Sequence, residues 1–349
     1  MTTKIDTTPA AAAAAGGAAN GAPTPTPTVT SARRWSPRKL LAQYALVLVL
    51  LGMIAIYSAL APDTFFTFDN LKVVTSTQAV LMVAVLGLVL PFAAGEYDMS
   101  FGATLAWATT LTAVLTVSHG WALGPALVVV LLSCVLIGAI NAFFIVVIGI
   151  SSLIATLGSG TVIIGFTLAV SKSQVLTGPP ELLTKLTTND LFGLPYPVYF
   201  GLLLAGVLWF VLEHTPIGRY VYFAGEGRAV ARLSGLPVDW IRGGSLMAAS
   251  ALAGLAGVIN FGRLGSADPN LGMSYLLPGA AAVFLGAAAI KPGRFNAWGT
   301  VIAVYVLVVG VTGLQLLGGA GWLENVFNGS ALVLAITFAH LMREREASH

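Results

Sequence analysis

The sequence predicts an all-α integral membrane protein, a bundle of about ten transmembrane helices with no catalytic machinery of its own. Three observations carry this reading. Hydrophobic residues make up 57% of the 349 and charged residues only 9%, with a mean hydropathy of +0.88, whereas an ordinary soluble domain is about a quarter charged. Met99 through Ser171 contains no Asp, Glu, Lys or Arg, a stretch long enough for about three bilayer crossings at about 20 residues each. The basic residues, finally, sort into two sets when an even number of spans is assumed.

Residues 1–35 are mostly Ala, Thr, Pro and Gly, a composition that cannot bury enough surface to offset its ordering entropy, and they read as a disordered cytoplasmic tail. This tail lacks the apolar run of a signal peptide, so the first hydrophobic segment is expected to stay as a membrane anchor. Residues 36–342 form the transmembrane domain. Its charge-poor windows are Leu40–Leu60, Val73–Ala93, Phe101–Val117, Leu123–Ile148, Ser152–Val170, Pro197–Leu212, Gly243–Phe261, Leu276–Ile290, Ala297–Leu316 and Val326–Met342. The third, sixth and eighth are short, which suits broken or re-entrant helices as well as simple spans. Residues 343–349 follow as a cytoplasmic tail.

With both termini inside, the cytoplasmic set holds Lys4, Arg33, Arg34, Arg38, Lys39, Arg219, Arg228, Arg232, Arg242, Lys291, Arg294, Arg343 and Arg345, and the opposite face keeps Lys72, Lys172, Lys185 and Arg263. The positive-inside rule then gives a multi-pass protein of the inner or plasma membrane with cytoplasmic termini. Six of the seven tryptophans fall near expected span ends, where indole rings anchor, and only Trp107 lies well inside one. Ser250, Ala253, Gly254 and Gly257 supply small-residue spacing, so that span is expected inside the bundle.

Several function classes drop out. Cys134 is the single cysteine, so intrachain disulfides and Cys-based metal or redox motifs are excluded. There is no Gly-Lys pair, hence no phosphate-binding loop, and neither a His-Glu-x-x-His nor a Gly-x-Ser-x-Gly run. The net charge of +3 comes from basic residues beside hydrophobic spans, which determine topology rather than bind nucleic acid. No catalytic residue, metal site or cofactor bound by this chain is expected.

Glu96 and Asp98 interrupt two apolar spans, where a charge at mid-bilayer costs about 2.5–3.5 kcal/mol. Asp98 or Ser100 can simply cap the next helix; the sharper reading places Gly95, Glu96, Asp98, Ser100 and Gly102 in a translocation path or gate. Asn141 sits in an apolar run and suits either that path or an interhelical hydrogen bond. The cytoplasmic loop 213–242 reads as a short helix, with Gly225 and Gly227 before it, Arg228 and Arg232 one turn apart, and Gly235 then Pro237 ending it. It suits a rigid projection seated in a motor subunit, or a basic helix on anionic lipid.

At this loop a resemblance becomes specific. Ile217-Gly218-Arg219-Tyr220 and then Gly225-Glu226-Gly227-Arg228-Ala229-Val230-Ala231-Arg232-Leu233-Ser234-Gly235-Leu236 resemble the coupling segment of carbohydrate ABC permeases of the ribose, xylose and arabinose type. Those carry Gly-Arg-Tyr and then Gly-Gly-Asn-Glu-Ala-Ala-x-Arg-Leu-Ser-Gly-Ile, so Arg228 replaces their Glu. Gly95 to Gly102 is similar to their Gly-Ile-Asp-Leu-Ser-x-Gly, with one residue inserted. Arg263-Leu264-Gly265-Ser266-Ala267-Asp268-Pro269 resembles their Arg-Leu-Gly-Ser-Ala-x-Pro. Beyond it, Tyr275-Leu276-Leu277-Pro278 stands where they have Tyr-Glu-Leu-Asp.

The resemblance spans roughly residues 40 to 340. It implies a permease subunit coupled to a separate ATPase, which holds ATP and Mg, and served by an extracytoplasmic solute-binding protein. It also implies a second permease copy or homologue. Gly225, Glu226, Arg228, Ala229, Arg232, Leu233, Ser234 and Gly235 would contact the ATPase, while Arg263, Ser266, Asp268 and Pro269 would receive the binding protein. The solute would be a sugar, polyol or similar small neutral molecule. Two rivals stay open: an ion-coupled secondary transporter using Glu96 or Asp98, and an amino-acid ABC permease of the same superfamily.

Overall fold

The computed structural model describes residues 37–347, so the expected tail over 1–35 lies outside the described residues. The helices are α1 (Pro37–Leu60), α2 (Phe68–Thr77), α3 (Ala79–Ala93), α4 (Phe101–Ala113), α5 (Leu123–Ala142), α6 (Ser152–Ser171), α7 (Glu181–Thr188), α8 (Tyr196–His214), α9 (Pro216–Glu226), α10 (Arg228–Leu233), α11 (Val238–Leu264), α12 (Gly272–Gly286), α13 (Ala297–Leu316) and α14 (Trp322–Ala347). π-Helical turns at Val114–Ser118 and Phe143–Ile148 extend α4 and α5. The strands are two residues each: β1 (Leu176–Thr177) pairs antiparallel with β4 (Ser266–Ala267), and β2 (Asp190–Leu191) with β3 (Leu194–Pro195).

Among the described residues, eight helical segments are long and apolar enough to cross a membrane, with α2 and α3 counting as one, Phe68–Ala93. Two of the ten expected windows are not among these eight. The eighth window holds α12, a 15-residue helix that stops at Gly286 and gives way to irregular chain up to Asn296. The tenth window, Val326–Met342, is free of charged residues and lies within the 26-residue α14. The sixth window, read as short, is an unbroken 19-residue helix.

The bundle is organised around α3 and α11. Nearly every residue of α3 from Ala79 to Ala93 is buried, as expected for a helix apolar on all sides. α11 is internal, as its small residues predict: Gly254 faces Cys134, and Gly257 faces the backbone of Leu105 and the methyl of Ala108. In lipid, where apolar side chains gain nothing by leaving the solvent, such close approach supplies the packing energy. The charges gather as the sequence sorts them. Lys291 pairs with Glu213, Arg294 with Glu226, and Arg228 and Arg242 with Glu96 at one end. Lys72 pairs with Asp190 and Lys185 with Glu181, and Arg263 meets Thr77, at the other.

The described chain also contains an inverted repeat. The pattern Gly-x-x-Asp-x-x-x-Gly occurs twice, at Gly95–Gly102 and at Gly265–Gly272. Each copy follows a long central helix and leads into α4 or α12. Each begins on a glycine of positive φ, +79° at Gly95 and +71° at Gly265, a conformation that disfavours any side chain. In each, the Asp carboxylate accepts the amide two residues on, Ser100 to Asp98 and Asn270 to Asp268, both at 2.9 Å. The parent helices run antiparallel: Glu96, after α3, meets Arg242 at the start of α11, and Arg263, near the end of α11, meets Thr77 just before α3. The two copies touch at Gly102 and Gly272, where a Cβ on either would strike the other's carbonyl oxygen.

Candidate functional site

The inner copy of the repeat is the most polar place inside the bundle. Pro91 lies inside the end of α3 and Gly95 turns the chain into the left-handed region, so the helix stops and Glu96–Ser100 has no regular secondary structure. Non-helical backbone inside a membrane bundle must find partners for its amides. Here α6 supplies them: Ser152 Oγ accepts from the Tyr97 amide at 3.1 Å and Thr156 Oγ1 from the Met99 amide at 3.0 Å. These two hydroxyls lie one helical turn apart on the same face of α6.

Asp98 and Ser100 are both 0% exposed. Asp98 Oδ1 accepts from the Ser100 amide at 2.9 Å and from Ser100 Oγ at 2.6 Å, and that hydroxyl in turn accepts from Asn141 Nδ2 at 2.9 Å. Asp98 thus orders the entry to α4 through a short side-chain turn, and Asn141 makes the interhelical hydrogen bond that its place on α5 suggested. Two acceptors in this cluster, Asp98 Oδ2 and Asn141 Oδ1, are buried without a protein partner. Buried orphan acceptors are costly in a structural core and mark a place where a donor from elsewhere is welcome.

Glu96 is 1% exposed and its Oε1 accepts from Arg228 Nη2 at 2.7 Å and from Arg242 Nε at 2.5 Å. Arg228 also donates to the Gly95 carbonyl at 2.9 Å. The loop 213–242 holds two helices, α9 and α10, where one was expected; Pro216 at the first position of α9 starts the extra one. A Cβ on Gly225 would strike the Ala93 carbonyl, so only glycine lets the end of α9 lie this close to the end of α3. Tyr222 donates its hydroxyl to the Phe295 carbonyl at 2.7 Å. Burial pushes that phenol up to about 12, Glu213 adding to the rise and Arg294 opposing it, so it stays a donor throughout the physiological range.

The rest of the 225–236 segment is mostly exposed. Glu226 is taken by Arg294 at 3.0 Å, Ser234 Oγ donates to the Val230 carbonyl at 2.9 Å, and Gly235, at φ +80°, ends the turn after α10. Arg232 pairs with Asp239 at 2.5 Å. Ala229, Val230 and Arg232 are exposed, and Leu233 and Trp240 are 89% and 83% exposed.

The outer set lies at the opposite end. Arg263 reaches the Thr77 carbonyl and hydroxyl at 3.4 Å, Ser266 is held in the β1–β4 pairing, Asp268 caps its own turn and Pro269 is buried. Tyr275, in the segment that departs from the resembling permeases, donates to Asn260 Oδ1 at 3.1 Å.

The family described as "branched-chain amino acid transport system / permease component" matches residues 70–336, from α2 into α14. The chain belongs to this permease family. Among its relatives, the ribose import permease protein of Escherichia coli K12 is 32% identical over 330 residues, which covers 89% of this permease and 98% of that protein. The ribose import permease protein of Haemophilus influenzae is 29% identical over 83% and 90% of the two chains, and the D-allose transport system permease protein of E. coli K12 is 26% identical over 86% and 92%. No solved structure matches. The resemblance seen in the coupling segment is borne out by these relatives. The permease is a multi-pass membrane protein and a transport subunit rather than an enzyme.

Of the residues singled out in the sequence, Asp98, Ser100 and Asn141 share one hydrogen-bond chain, while Glu96 turns to Arg228 and Arg242, Gly95 lies against Gly225 and Gly102 against Gly272. Sequence reasoning missed Arg242, Ser152, Thr156 and Gly272. Arg242 was counted only as a topology charge, although it lies at the border of an apolar run, and Gly272 was legible through the repeated Gly-x-x-Asp-x-x-x-Gly pattern.

Proposed function

We propose that this chain is the membrane-spanning permease subunit of an ATP-driven, binding-protein-dependent importer for a sugar, polyol or similar small neutral solute. α10 and its flanks seat in a separate ATPase subunit at the cytoplasmic end, the side on which both termini lie. ATP and Mg are held by that subunit and by no group of this chain. The Gly95–Gly102 turn with Asn141 forms the path or gate. Arg263, Ser266, Asp268 and Pro269 receive the solute-binding protein outside, and a second permease copy or homologue completes the assembly.

The observation that carries this reading is the exposure of Leu233, 89% open at the tip of a short helix whose sequence resembles the coupling segment of ribose-type permeases. A leucine held out on a rigid, polar-flanked projection is suited to a socket in another protein. The orphan acceptors Asp98 Oδ2 and Asn141 Oδ1 suit a solute rich in hydroxyl donors. Names of the relatives point the same way, to ribose and D-allose. An ion-coupled mechanism through Glu96 is disfavoured, since both arginines already neutralise that carboxylate.

Purification from mild detergent tests the reading. Wild-type permease is expected to bring down a vanadate-sensitive ATPase, and Leu233→Glu to lose it while remaining monodisperse. Absence of any ATPase with wild type, together with uptake that collapses with the ion gradient, overturns it.

A further inference from the structure

Two polar clusters, joined by two residues of backbone, lead from the exposed 225–236 segment into the buried core. Arg228, at the first position of α10 and with its side chain half exposed, donates to Gly95 and Glu96. Glu96 also takes Arg242, whose side chain is 8% exposed, on the same oxygen. Two residues on, Asp98 holds Ser100, and Ser100 holds Asn141 of α5. The adjoining backbone is pinned by the Gly225–Ala93 approach on one side and by Ser152 and Thr156 on the other.

The two ends of the first link are ion-pair partners at 2.7 Å. A buried carboxylate without a cationic partner would be an uncompensated charge inside the bundle; Glu96 is paired twice, by the buried Arg242 and by the half-exposed Arg228.

We infer that Glu96 is the positioning residue through which the ATPase-facing segment moves the inner turn, with Arg228 as the moving contact and Arg242 as the fixed one. The geometry separates these roles. Arg242 is on α11, the internal helix, and is nine-tenths buried, so it anchors Glu96 to the bundle. Arg228 is on the six-residue α10, and is therefore the contact that follows any displacement of that helix. A shift of α10 is felt at Glu96 as a change in which guanidinium holds the shared oxygen, and is passed to Asp98 and Ser100 two and four residues along the same non-helical segment. No covalent step is involved.

This inference rests on the ATPase-coupled reading, and its test keeps the two apart. The complex with the copurifying ATPase is compared, nucleotide-free against ATP-vanadate-trapped, by hydrogen–deuterium exchange of peptides covering 94–100 and 228–236. In wild type both peptides are expected to change exchange rate between the two states, by about tenfold for 94–100, the scale on which local opening equilibria shift. In Arg228→Gln and Glu96→Gln the 228–236 response is expected to persist while the 94–100 response disappears, and Arg228→Lys is expected to restore it in part. A purely structural role would alter exchange equally in both nucleotide states. If Glu96→Gln fails to assemble, Arg228→Gln, altered on the half-exposed partner, decides alone. A 94–100 response in Arg228→Gln equal to wild type, or none in wild type, overturns the inference while the ATPase assignment stands; if no ATPase copurifies, both fall.

Discussion

Gly102 and Gly272 lie backbone against backbone, each in the space that the other's side chain would need. Replacing either by alanine forces the starts of α4 and α12 apart inside the bundle, and overpacking of this kind costs about 1–3 kcal/mol. Gly165 on α6 has nothing within 4 Å of its Cβ position, and Gly165→Ala is expected to leave the melting temperature in detergent unchanged or higher. Equal melting of Gly102→Ala, Gly272→Ala and Gly165→Ala would remove the central contact from the account.

Arg242 and Arg232 carry the same charge and are expected to differ sharply in worth. Arg242→Ala leaves the buried carboxylate of Glu96 with only the half-exposed Arg228, a loss on the scale of about 3–5 kcal/mol for a broken buried pair. Arg232 and Asp239 are 57% and 51% exposed, so Arg232→Ala is expected to cost about 1 kcal/mol or less. Thermal unfolding of the two variants in one detergent, followed by tryptophan fluorescence, separates them.

The hydroxyl of Thr156 is the partner of the Met99 amide. Thr156→Val keeps the shape and strands that amide, at about 1–3 kcal/mol. Thr161, on the exposed face of the same helix, bonds only to the Leu157 carbonyl one turn back. Thr161→Val is expected to be silent in the same melting assay, and a silent Thr156→Val would mean that the non-helical turn finds its partners elsewhere.

Asp98→Ala removes the group that holds Ser100, and through it Asn141. Uptake of radiolabelled ribose or D-allose, whichever the wild type accumulates, is expected to fall by about tenfold or more, as when one positioning contact is lost, with membrane expression unchanged. Wild-type uptake by a normally expressed Asp98→Ala would end the role of this cluster in the path.

Much of this was readable in advance, for physical reasons. Apolar windows and the sorting of Lys and Arg identify spans because burying a charge in hydrocarbon is expensive along the whole chain. Glu96, Asp98 and Asn141 stood out by the same rule. Whether the eighth window is a span or a re-entrant piece is not legible in sequence, because hydropathy measures composition and α12 is as apolar as a full crossing while being only 15 residues long. α9 was missed because Gly225 and Gly227 read as the boundary before a single helix, whereas Gly225 belongs to α9 and is required by its approach to Ala93. Ser152 and Thr156 gave no signal: hydroxyls on an apolar helix usually bond to their own backbone, and only the fold shows that these two face a non-helical segment.

Gly95–Gly102 and Gly265–Gly272 share a turn and a point of contact but not their surroundings. Asp98 is fully buried against Ser100, which Asn141 bonds in turn, whereas Asp268 only closes its own turn. The first is fastened by ion pairs to α10 and α11, the second by a two-residue strand pairing. An arrow along such a molecule is drawn by what surrounds each turn, not by the turn itself.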